Sequence, residues 1–184
     1  MRRFLLLSLA LLGGTAQAAD YKIDPTHSFV EWRVQHLGFS WLYGRFNDIS
    51  GTLKWDAAEP EAGAIRVDID PASIDSNHAE RDKHLRNEDF LDVSRFTEAR
   101  FVSTGYEGDA DGGTLRGELT MHGETRPIEI EVKRLGEGKD PWGGYRVGFV
   151  GTTTLDRRDF GIDYNLGPKG WTVELELGIE GKRQ

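Results

Sequence analysis

The sequence predicts an all-β protein with one short helix, its strands closed into an eight-stranded antiparallel β-barrel. Two observations carry that expectation. Apolar residues recur at every second position in eight separate segments, which is the period of a half-buried strand. Most connections between those segments are short and rich in turn-forming residues, as hairpins require. Opposite each apolar row stands a polar, mostly charged one, which fits antiparallel strands wet on one side, and closing eight of them leaves room for one small ligand. A two-sheet sandwich of the same strands is the alternative.

The first residues read as something else. Met1-Arg2-Arg3, the apolar run Phe4 to Leu12 and the small-residue triplet Ala16-Gln17-Ala18 have the order of a signal peptide with cleavage after Ala18. The apolar run falls short of the ~20 residues that span a bilayer. Removing 18 residues from 184 leaves 166, the size of one domain, here 19–184. Arg2 and Arg3 leave with the leader, so the net charge moves from -8 to -10. Such a chain is repelled by phosphate backbones and anionic lipid surfaces, which argues against nucleic acid as a partner. No later run is long and apolar enough for stable membrane insertion. With no cysteine, the fold has no disulfide to lean on and no thiol chemistry.

The strands follow in order. Val30, Trp32 and Val34 share one parity, with Glu31, Arg33 and Gln35 opposite; after an aromatic-rich link, Leu37 to Tyr43, Ile49, Gly51, Leu53 and Trp55 share another. Ile65, Val67 and Ile69 form the third strand, which Pro71 ends. Residues 71–97 interrupt the pattern. Within them Asn77 and Glu80 have capping-box spacing and open a short helix through about Arg86. Only Ala79 and Leu85 are apolar in it, so the helix is expected to cover an edge or end of the sheet. Alternation then resumes over 98–106, 114–121, 126–135, 145–155 and 171–180, with Gly136 to Gly144 read as a loop.

Several strings resemble those of the bacterial YceI family of periplasmic, lipocalin-like proteins. They are Asp24-Pro25-Thr26-His27-Ser28, His36-Leu37-Gly38-Phe39-Ser40, Gly44-Arg45-Phe46, Arg81-Asp82-Lys83-His84-Leu85-Arg86, Asp89-Phe90-Leu91-Asp92-Val93, Leu119-Thr120-Met121-His122-Gly123 and Asp159-Phe160-Gly161. In order and spacing they cover essentially the whole chain after the leader. The resemblance implies an extended eight-stranded lipocalin-like barrel with a helix near one end, which binds an isoprenoid or similar long amphiphile in its bore and needs no cofactor. Two positions depart from the family: Leu91 stands where a second Phe is usual, and Thr97 where a Pro commonly precedes the next strand. The first bears on the lining near the helix.

The residues themselves offer little chemistry. There is no G-x-S-x-G elbow, and His27 and Ser28, adjacent on a strand, face opposite ways. His78 with Asp82 and Glu80 with His84 have metal-ligand spacing on a helix, but the same spacing serves solvated ion pairs, and Asp82 with Arg86 repeats it with a residue that binds no metal. Surface pairing is the expected reading, with no catalytic or metal site.

Aromatics are the sharper feature. Carrying the resemblance residue by residue gives Val30, Trp32, Val34, Phe39, Trp41, Phe46, Leu53, Phe101, Leu119, Phe149 and Phe160 as candidate lining, with Arg157 or Arg158 near a ligand head group. Gly51, Ala99, Gly117 and Gly151 on the same parities leave room beside them. A tail that lost about 400 Å² of apolar surface to the bore would gain about 10 kcal/mol before association costs, so head-group contacts need only tune affinity. The expected function is a periplasmic carrier of an isoprenoid-type lipid. Its rivals are an eight-stranded outer-membrane barrel, which the polar 71–97 connection and the Lys182-Arg183-Gln184 end oppose, and an enzyme acting on an amphiphile in the same barrel. The Leu37 to Tyr43 corner is either a pocket wall or a homodimer contact.

Overall fold

The computed structural model describes residues 18–184; the leader expectation falls on residues 1–17, outside the described residues. Strands β1 (Ala19–Ile23), β2 (Phe29–His36), β3 (Ser40–Phe46), β4 (Ile49–Trp55), β5 (Ala64–Ile69), β6 (Ile74–Asp75), β7 (Ala99–Gly108), β8 (Gly112–Met121), β9 (Glu124–Lys139), β10 (Tyr145–Asp156) and β11 (Thr172–Arg183) form one sheet, with the single helix α1 at Ala79–Leu85.

Three of the barrel's staves are broken. β1 and β2 lie end to end along β11, which pairs Gly181 with Ile23 and Leu177 with Val30. β3 and β4 follow them in the next position, and β5 and β6 in the one after. Counting each broken pair as one stave gives an eight-membered antiparallel ring, closed where β11 meets β1 and β2. The sandwich alternative is thereby excluded, since every stave has a neighbour on both sides.

The breaks follow from local chemistry. Pro25 lacks an amide donor, so the ladder cannot run through it. The Asp24 amide donates to the Glu180 carbonyl at 2.8 Å, and the Ser28 hydroxyl accepts from the Glu180 amide at 2.9 Å, so β11 keeps a partner across the gap. The Asp24 carboxylate folds back onto the Thr26 hydroxyl at 2.7 Å and meets His27 Nδ1 at 2.9 Å, Arg146 at 2.9 Å and Lys182 at 2.8 Å. His27 is therefore the partner of a buried carboxylate. Asp24, His27 and Glu180 have the spacing of a metal cluster, yet two cations already hold these carboxylates, and the knot joins β1 to β10 and β11.

Several element boundaries differ from expectation. The aromatic link is mostly strand: β3 begins at Ser40, because Leu37 (φ 54°) and Gly38 (φ 81°) make a tight turn with both central residues in the left-handed region. β1 was not expected, and β9 continues to Lys139 through the glycines read as a loop. At the helix, Asn77 sits at φ 60° and the cap moves to His78, whose Nδ1 accepts the Arg81 amide at 3.3 Å. None of the expected helix pairs forms. Asp82 is buried and accepts from the Ser76 amide at 2.8 Å, His84 meets Asp89 at 3.0 Å, and Arg86 donates to the Ala72 carbonyl at 2.7 Å. The Asp82 and Arg86 bonds fasten α1 to the segment around β6, and Leu85, Phe90 and Leu91 pack with Trp32, Val34, Ile74 and Ile162 across one end of the barrel.

Outward faces are charged. Arg33 pairs with Glu174, Arg116 with Glu107 and Glu129, and Asp68 with Arg66 and Arg100. An outer-membrane barrel needs the reverse, an apolar outer band, and among the described residues no helix is long and apolar enough to cross a bilayer.

Candidate ligand-binding site

Because polar side chains take the outer parity, the inner one is left almost wholly aliphatic and aromatic. Packing does not fill it. Among the described residues, cavities of about 130 and 160 Å³ lie along the bore. One lies under α1, walled by Trp32, Val34, Phe46, Ile74, Leu85, Phe90, Leu91, Met121 and Ile162. The other lies toward the opposite end, walled by Leu53, Trp55, Ile65, Phe101, Tyr106, Ile130, Val132 and Phe149. Both touch Val30, Ile69, Leu119 and Leu175, which form a waist between them. Each chamber is close to the ~150 Å³ of a dry apolar cavity that admits benzene, so each holds about one five-carbon isoprene unit, and a longer chain must thread the waist.

The wall of the far chamber is built on aromatic contacts. Trp55 meets Phe149 edge to face at 4.9 Å, and its Nε1 donates to Glu137 at 2.9 Å. Tyr106 reaches the same wall although it is off the parity of Ala99 and Phe101, because a bulge after Ser103 inserts one residue and turns the rest of β7 over.

Eight of the eleven candidate lining residues stand on a chamber wall: Val30, Trp32, Val34, Phe46, Leu53, Phe101, Leu119 and Phe149. Phe39 does not, being 87 % exposed at the tip of the β2–β3 hairpin. Trp41 is on the outer parity of β3, where it stacks on the Arg33 guanidinium at 4.6 Å; the pocket-wall reading of this corner is thus corrected. Phe160 is fully buried in the solid part of the core and borders neither cavity. Its carbonyl meets His122 Nδ1 at 2.9 Å, and since a carbonyl only accepts, that nitrogen carries the proton. His122 therefore clasps the β8–β9 turn to the 157–160 turn. Not all the glycines make room for a ligand: a Cβ at Gly117 would overlap the Phe101 ring, and one at Gly44 the Trp32 ring. Ile69 and Leu175 of the waist are not among the expected lining residues; their inward parity is the signal in the sequence that marks them.

The two arginines part company. Arg158 is exposed and bound to Asp156. Arg157 is buried, 6 % exposed, and borders the chamber under α1. It donates to the carbonyls of Gly170 at 2.8 Å, Ile162 at 2.7 Å and Tyr164, and lies over the Trp171 ring at 4.5 Å. Burial pushes its pKa down, opposed by Asp156 and Asp163 at longer range. Among the described residues no carboxylate pairs with it, so its charge is met by dipoles and a ring face alone. Trp32 lines the same chamber, and among the described residues its indole Nε1 is buried without a hydrogen-bond partner.

A closed antiparallel barrel with charged outer faces and a hollow apolar bore defines a binding protein of the lipocalin-like kind. The chain belongs to the YceI family: the model of the YceI-like domain matches residues 21–181. It is 54 % identical over 183 residues to a UPF0312 protein of Ectopseudomonas mendocina, covering 98 % of this chain and 96 % of that one. A UPF0312 protein of Pseudomonas aeruginosa is 51 % identical over 179 residues, with coverage of 96 % and 94 %. Among solved structures, the Campylobacter jejuni YCEI protein superposes with a TM-score of 0.74 at 26 % identity over 82 % of this chain and 90 % of that one. Burkholderia cenocepacia BcnA gives 0.76 at 20 % over 86 % and 98 %. A polyisoprenoid binding domain from Saccharophagus degradans gives 0.67 at 16 % over 91 % and 100 %, which shows a shared fold.

Proposed function

We propose that the protein is an exported, periplasmic carrier that holds the tail of an isoprenoid-type or other long-chain amphiphile in its bore. The single observation that carries this reading is the pair of apolar chambers set along the bore, with a wall of four aliphatic side chains common to both. A channel of that shape suits a thin flexible hydrocarbon better than a compact solute. The leader-like residues 1–18 support export, and the polyisoprenoid binding domain of the same fold supports the ligand class. Among the described residues no histidine or carboxylate borders either chamber, which favours binding over catalysis.

The test is lipid extraction of the purified protein followed by mass spectrometry, together with uptake of a labelled prenyl lipid by delipidated protein. The expected result is one bound long-chain lipid per barrel and saturable uptake. Absence of both overturns the reading. A native mass spectrum of the same sample reads bound mass and subunit count together.

A further inference from the structure

The tip of the β2–β3 hairpin holds bulky apolar side chains that folding does not call for. Leu37 stands at φ 54° and Gly38 at φ 81°, in a two-residue turn whose first position favours Asn or Gly, and a leucine there is strained because its Cβ crowds its own backbone. Nor is it buried: Leu37 is 57 % exposed, and Phe39 beside it 87 %. The outer parity continues along β3 with Trp41 and Tyr43, both exposed. The tip leans on the 164–170 loop, since a Cβ at Gly167 would lie 3.8 Å from the Leu37 side chain and one at Gly38 4.0 Å from that of Lys169. That loop is held at its ends, where Arg157 donates to the Tyr164 and Gly170 carbonyls. Between those anchors Leu166 is exposed and also stands on the wall of the chamber under α1. One apolar rim thus runs from the hairpin tip to the cavity.

Charge differs between the two ends of the barrel. Residues 36–43 and 164–170 contain no carboxylate, the nearest in sequence being Asp163, and Lys169 lies among them; α1 beside them carries both signs. At the opposite end the turns 56–63, 109–111 and 140–144 carry Asp56, Glu59, Glu61, Asp109, Asp111 and Asp140 and no Lys or Arg of their own, although Arg134 reaches Asp111 and Arg146 reaches Asp140 from the strands. An anionic surface therefore repels the far end most, and the rim is the face that can approach it. Aromatic and leucine side chains beside a lysine are also the set that settles at the level of lipid head groups. We propose that this rim docks on the surface of a lipid bilayer, with Leu37, Phe39 and Leu166 reaching past the phosphates and the chamber under α1 turned toward the membrane from which a lipid is drawn. The drawing of a lipid rests on the carrier reading; the docking itself does not.

The experiment measures flotation of the purified protein with vesicles of phosphatidylethanolamine and phosphatidylglycerol. The parent is expected to float with the vesicles, and Phe39→Ser to lower its partition coefficient about tenfold, the worth of one phenylalanine side chain kept out of an apolar phase. Leu37→Asn should lower it as well while raising the urea midpoint, because Asn suits the left-handed backbone; a loss of docking from a more stable fold cannot come from unfolding. Since the chain has no cysteine, a polarity-sensitive dye at Ser40→Cys or at Pro141→Cys reports each end separately, and a blue shift on vesicles is expected at Ser40→Cys alone. A parent that stays in the buffer, equal flotation of parent and Phe39→Ser, or a blue shift at Pro141→Cys overturns the proposal. So does a parent that sediments as a dimer without lipid and as a monomer when Phe39→Ser is made, which assigns the rim to a second copy of the chain. None of these results bears on lipid extraction, so the docking can fall while the carrier reading stands.

Discussion

Leu119→Ala tests whether the waist is a packed partition. Leu119 is 6 % exposed and touches both chambers, with Phe101 directly opposite on the neighbouring strand. Three carbons are removed, worth about 2.4 kcal/mol at about 0.8 kcal/mol each. Hollows already lie on both sides, so the neighbours cannot collapse inward, and a cavity cost of about 1–2 kcal/mol is added. The delipidated variant is therefore expected to lose about 3–4 kcal/mol in urea unfolding with an unchanged m-value. Ligand binding moves the other way. Chains of a single isoprene unit fit one chamber and should gain little, whereas longer chains no longer have to displace the Leu119 side chain and should bind more tightly relative to the short ones. A chain-length series read by displacement of a fluorescent fatty acid measures this. A stability loss below about 1 kcal/mol refutes the packed waist, and an equal affinity change for short and long chains refutes its role as a partition.

Three other outcomes follow from the same geometry. Gly44→Ala forces the Trp32 ring out of its seat and should cost about 1–3 kcal/mol, read by urea unfolding, with a shift in tryptophan emission that Gly138→Ala, which meets nothing within 4 Å, does not produce. Arg157→Leu leaves three carbonyls without their donor and should cost at least about 3 kcal/mol, with faster amide exchange across 162–170; Arg157→Lys should not rescue it, because an ammonium lacks the guanidinium's spread of donors. Acid should weaken the fold in a defined window. Burial alone would raise the Asp24 pKa, but bonds from Lys182, Thr26, His27 and Arg146 hold it far below the ordinary carboxylate range. Asp68 is likewise lowered to about 2 by Arg66 and Arg100 against burial, and Asp156 to about 2, chiefly by Arg158. Depressed carboxylates contribute stability above their unfolded pKa of about 3.9 and lose it as pH falls through their folded values, so the urea midpoint should drop as pH goes from about 4 to about 2. Asp24→Asn should flatten that drop; an undiminished slope in the variant would show that the knot at the β1–β2 break does not contribute.

The period-two alternation determined most of this protein by itself. An inward residue must be apolar and an outward one soluble, and that constraint is written locally, residue by residue, which is why Val30, Trp32, Val34, Leu53, Phe101 and Leu119 were legible as inner wall. Turn chemistry at Leu37-Gly38 and His122-Gly123 is equally local. What the sequence could not fix is whatever depends on counting across strands. A single inserted residue after Ser103 brings Tyr106 inside against its apparent parity, and strand pairing, not hydrophobicity, puts Trp41 outside on Arg33 while Gly44 faces inward to admit Trp32. The waist joins residues from β2, β5, β8 and β11, and its existence depends on ring closure. Whether a buried donor is satisfied is likewise a property of everything that surrounds it. The indole of Trp32 is apolar lining by its place in the sequence and an unmet hydrogen-bond donor only once the barrel has closed around it.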